Sequence, residues 1–129
     1  MQNYSFKTEL FPLEFHLLFG DYDADFVDEY LTDNRIETRP EHDVSKHLAY
    51  QCWLGYGDCL IWCERTPNNP KEIGIFVHEL IHAILDAGRV LGFNPGPDGE
   101  EFFAYLAGWL TEKTLDALWK DQAEGKVAT

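Results

Sequence analysis

Long hydrophobic runs are missing from this chain. None approaches the roughly 18 apolar residues that a membrane-spanning helix needs, so no membrane partner is expected. Basic residues are also scarce: ten Lys and Arg face 23 Asp and Glu, giving a formal net charge of −13. That sign disfavours phosphate backbones, and no nucleic-acid partner is expected. A basic protein partner fits the charge, and so does a role in keeping the chain soluble. Cysteine is limited to Cys52, Cys59 and Cys63, an odd number without zinc-ribbon spacing, which argues against a disulfide scaffold. A CxxC redox pair, a Gly-rich phosphate loop, a Ser nucleophile elbow and internal repeats are all missing. The opening MQNYSFKTELF lacks the basic start and apolar stretch of a secretory signal, so the expected location is the cytoplasm.

What the chain does contain is enough apolar material for a core. Hydrophobic residues make up 45% and aromatics 15% of 129 residues, which suits one domain over 1–129 with a frayed tail from about 121 to 129. Leu13, Phe15, Leu17 and Phe19 alternate with Glu14, His16 and Leu18, the pattern of a strand with one wet face. DYDADFVDEYLTDN spaces its apolar residues as a short helix, and residues 34–46 read as a surface loop. HLAYQCWL and CLIWCER, separated by GYGD, predict a hairpin turning at Gly55 and Gly57. Cys59 and Cys63 then share a strand face about 13 Å apart, too far for one metal, and are expected to be buried thiols.

The most informative segment follows. Asn69 is a helix cap, Pro70 suits the first helical position, and Glu72 completes a capping box. The helix is predicted from Pro70 to about Asp86, ending near Gly88 or Gly92. A second helix, capped by Asp98, continues through EEFFAYLAGWLTEKTLDALWK. Between Ile73 and Leu85 the first helix is apolar nearly all round, which predicts a buried helix. The only ionisable groups in that stretch are His78, Glu79 and His82, and burying them is costly unless they are paired or bound to metal. Positions i and i+4 share one helix face, so both imidazoles can reach a single ion. H-E-L-I-H is the zincin signature, in which the glutamate acts on a metal-activated water. The competing reading is two core histidines bonded to backbone carbonyls.

A catalytic zinc usually takes three protein ligands. Glu101, in the first turn of the second helix, is the preferred third ligand. Glu100 is the reserve, and Glu101 also fits a capping box with Asp98, which would leave it no metal role. HELIH followed by a glutamate on the next helix resembles the gluzincins, metallopeptidases of the thermolysin and IrrE/ImmA type. HELIHAIL with EEFFAYLAGWL is similar to small single-domain HExxH proteins of bacteriophages. The resemblance covers about residues 47–112 and implies zinc (Zn2+) on His78, His82 and Glu101, Glu79 as general base, and a peptide or protein substrate. If the chain is phage-encoded, its place is the host cytoplasm. In those families a strand lies beside the HExxH helix, where CLIWCER has that look. Where thermolysin-like enzymes have an acidic residue after the ligand glutamate, this chain has Tyr105. That residue is a candidate oxyanion stabiliser or, alternatively, a core tyrosine.

Asp86, one turn beyond His82, can orient an imidazole or be merely solvated. His42 and His47 are candidates for reaching the site, though surface histidines are commoner; His16 is given no role. The expected fold is α+β and zincin-like: a short, mostly antiparallel sheet on two long helices, with the metal between them. The expected function is a zinc metallopeptidase. The alternative is a catalytically weak or inactive zincin-scaffold protein that binds a basic host or virion protein.

Overall fold

The computed structural model describes residues 1–40 and 47–126. Seven elements follow one another: β1 (Gln2–Lys7), β2 (Glu14–Phe19), α1 (Ala24–Asp33), β3 (Ala49–Gly55), β4 (Asp58–Cys63), α2 (Pro70–Leu91) and α3 (Glu100–Ala123). The class is α+β. The four strands form one mixed sheet in the order β1-β2-β4-β3. Its outer pairings are antiparallel, and the central β2·β4 pairing is parallel.

Alternation of side chains assigns each face of the sheet a cover. Phe15, Leu17, Phe19, Cys59, Ile61 and Cys63 point one way and pack with Phe76, Leu80, Ile84, Phe102, Leu106 and Leu110 of α2 and α3. Leu18, Leu54, Leu60 and Trp62 point the other way, onto Val27 and Leu31 of α1 and Ile36. The sheet is therefore the middle of three layers. The wet face expected for β2 is absent for that reason: α1 covers it, and Glu14 is followed by five buried residues. β1, not anticipated, pairs along β2 and shows Tyr4 and Phe6 to the core.

The hairpin forms as expected, its turn held by positive φ at Gly55, Tyr56 and Gly57. Asn69 caps α2 by accepting from the Glu72 amide at 2.9 Å, and Gly92 closes the helix in the left-handed conformation. Asp98 is not the cap of α3. That position falls to Gly99, which donates no side chain and fits because a Cβ there would overlap the Asn94 carbonyl. The expected start of the tail at about 121 still lies within α3 and touches the rest of the fold. α3 reaches Ala123, the Tyr4 hydroxyl donates to Asp121 at 2.8 Å, and Gln122 donates to Asn68 at 2.7 Å. Residues 127–129 lie outside the described residues.

Two contacts fix how α2 and α3 lie together. Gly88 faces the Phe102 and Phe103 rings near one end, and Asn68 meets Gln122 at the other. The helices are therefore antiparallel, with residue n of α2 opposite roughly residue 190 − n of α3. No helix among the described residues is long and apolar enough to cross a membrane.

Candidate metal centre

His78 and His82 come together on α2. Their Nε2 atoms stand 3.0 Å apart, and the rings are tilted by 38° with centroids 4.8 Å apart. Two imidazole nitrogens on one zinc at about 2.0–2.1 Å are roughly 3.3 Å apart in a tetrahedral site, so the pair fits a shared ion. An N–H···N hydrogen bond between the rings also fits this distance. Carbonyl-bonded core histidines do not describe it. Both imidazoles are exposed, as is Ile81, and Ile73 and Ile75 are only half-buried. The expectation of a helix buried all round fails because α3 and the sheet cover only one side of α2.

Glu79, between the histidines in sequence, is half-buried. Its carboxylate is close enough to β4 to act on Cys63, whose thiol is pushed up to about 12 by burial first and by Glu79 second. Asp86 does the same two strand-face positions away, adding to the burial that raises Cys59 well above its ordinary value. Asp86 also pairs with Arg89 at 3.0 Å, which gives it a partner other than an imidazole. Cys59 and Cys63 are buried as expected.

Glu101 is not brought to the histidines. The register of α2 and α3 places His82 opposite about residue 108, so the Glu101 turn lies some seven residues, about 10 Å, further along the axis. Glu101 lines a groove with Leu10, Phe11, Phe93, Asp98 and Tyr105 instead. Glu100 points the other way, into a separate apolar groove of about 520 Å³ lined by Ile81, Ile84, Leu85, Phe103 and Ala104. Tyr105 is 43% exposed, so it is not a core residue, and it shares the groove of Glu101 rather than a surface with the imidazoles. His47 is exposed, and His42 lies outside the described residues.

One set of three ligand atoms among the described residues lies within 4.8 Å of one another, and it is elsewhere: Glu14, His16 and Asp58. His16 is completely buried in β2. Its Nε2 is 2.8 Å from Asp58 Oδ1 and 3.5 Å from Glu14 Oε2, and its Nδ1 is 2.8 Å from the Tyr30 hydroxyl of α1. Burial first, then the Glu14 and Asp58 charges, push the Tyr30 hydroxyl up to about 12. Sequence reasoning passed over His16. The available signal was a histidine two residues from a glutamate on a strand too apolar to be half-wet, but its partner Asp58 comes from a strand whose neighbour only the topology reveals.

Comparison with protein-family models, with curated proteins and with solved structures gives no match.

Proposed function

We propose that the chain is a zinc-dependent hydrolase acting on a peptide or protein, with His78 and His82 as metal ligands and Glu79 as general base. The observation that carries this reading is the 3.0 Å approach of two imidazole Nε2 atoms one helical turn apart, with a carboxylate between them in sequence. Zinc held there would supply Lewis-acid polarisation and a lowered pKa for water. The protein's own part is then simple. The capped helix α2 keeps both rings on one face and offers their nitrogens to one point. Glu79 takes a proton from the attacking water as its oxygen bonds the carbonyl carbon, and returns it to the amine as the C–N bond breaks. The imidazoles are open to solvent, so an extended substrate has direct access to them. A zincin-like placement of the metal between α2 and α3 belongs to this proposal as well, but the position of Glu101 does not support its role as third ligand.

A second reading is favoured by that same position: a zincin-scaffold protein without useful turnover, whose acidic surface binds a basic partner. Glu79→Gln separates the two. On the hydrolase reading the variant keeps its zinc and loses cleavage of a mixed peptide library that the wild type cleaves. Cleavage undiminished in Glu79→Gln sinks the role of Glu79, and no cleavage by zinc-loaded wild type favours the binding protein.

A further inference from the structure

A cluster of ligand-type side chains stands on the opposite face of the sheet from α2, separate from the histidine pair. We propose that Glu14, His16 and Asp58 bind a divalent first-row cation through two carboxylates and one buried imidazole.

The strands build this cluster. Glu14 and Asp58 are register partners at the start of the parallel pair β2·β4, and His16 is two residues along β2 on the same face. Two carboxylates are thereby set side by side, an arrangement that costs stability when nothing positive lies between them. Among the described residues neither forms an ion pair with a Lys or Arg; His16 is the one basic group each meets. Both carboxylates converge on a single nitrogen. One N–H serves one acceptor well, and the distances of 2.8 Å to Asp58 and 3.5 Å to Glu14 show which carboxylate is left over.

A cation removes that mismatch. Ligand atoms held about 2.0–2.2 Å from one ion lie roughly 3.0 Å apart at right angles and 3.5 Å apart in a tetrahedron; the two distances from His16 Nε2, 2.8 and 3.5 Å, bracket that range, and all three ligand atoms lie within 4.8 Å of one another. The imidazole is backed as ligand imidazoles usually are: its other nitrogen is held by the Tyr30 hydroxyl at 2.8 Å, with the two rings edge to face. Access is open as well. His16 is fully buried, but the side chains of Asp58 and Glu14 are 23% and 35% exposed, so water can complete the coordination from outside. Two oxygens, one nitrogen and water suit Mn2+ and its neighbours better than a thiolate-seeking metal.

The test uses the full chain carrying His78→Ala and His82→Ala, which removes the other candidate site. Loss of the free Mn2+ paramagnetic resonance signal measures binding. One equivalent should bind. Glu14→Gln and Asp58→Asn should each weaken it at least tenfold, and Tyr30→Phe, which keeps every ligand, should weaken it by about tenfold or more. Glu14, the most exposed ligand, is the decisive substitution if Asp58→Asn fails to fold. No Mn2+ binding by the folded double variant, or binding unchanged in Glu14→Gln, overturns the proposal and leaves His16 as a hydrogen-bonded core residue.

Discussion

Gly88 of α2 lies against the Phe103 ring of α3, so close that a Cβ on Gly88 would come within 2.6 Å of it. This contact lets the two helices approach and sets their register, which decides what can stand beside His82. A β-branched side chain there forces the ring or the helix aside. Gly88→Val should lower stability by about 2 kcal/mol, the usual scale of overpacking, as measured by urea denaturation. An unchanged midpoint would mean that α3 is free to shift along α2.

The same register makes a prediction about metal ligands. Glu101 lines the groove with Leu10 and Phe11, away from the imidazoles. Glu101→Ala should therefore retain the zinc affinity of the wild type, whereas His78→Ala should reduce it at least a hundredfold. Zinc competition with a chromophoric chelator measures both. A loss in Glu101→Ala comparable to that in His78→Ala would restore the ligand set that the gluzincin resemblance implies.

Alkaline stability follows from two buried thiols and two half-buried phenols. Cys63 is raised from an ordinary 9.0 to about 12, Cys59 well above 9.0, and Tyr4 and Tyr30 from 10.0 to about 12. In each, burial is the first cause and penalises the anion. A folded-state pKa above the unfolded one gives stability that is complete below the unfolded value and is lost as pH rises toward the folded value. Melting temperature should thus fall steadily between pH 9 and 12. A flat profile across that window would contradict these shifts.

Cys63 is 1% exposed, and burial is the first cause of its raised pKa. Its thiol should resist iodoacetamide at pH 8.5 in the folded protein and react at least tenfold faster in urea. Equal rates in the folded and unfolded protein would contradict that burial.

How far the sequence was legible depends on the range of the interaction. Local signals read well: the Asn69 cap, the Gly92 stop and the hairpin at Gly55 and Gly57 each depend on a few neighbouring residues. β1 was missed because Tyr4 and Phe6 are too few apolar positions to show alternation. The burial of His16 was missed because cover by α1 is a tertiary fact. Apolar composition overstated the burial of α2, since periodicity cannot tell a helix covered on all sides from one lying on the outside of a sheet with its histidines exposed. Of the candidate site, the i, i+4 histidines were readable from helical geometry. The position of Glu101 was not, because it is set by tertiary contacts between α2 and α3, Gly88 against the Phe102 and Phe103 rings and Asn68 with Gln122.

The central claim is that His78 and His82 share one zinc ion, and zinc titration of the wild type beside the His78→Ala/His82→Ala double variant tests it most directly. The double variant should bind one equivalent fewer than the wild type while keeping its circular dichroism spectrum. Equal stoichiometry and affinity in the two folded proteins would show that the imidazoles meet only each other.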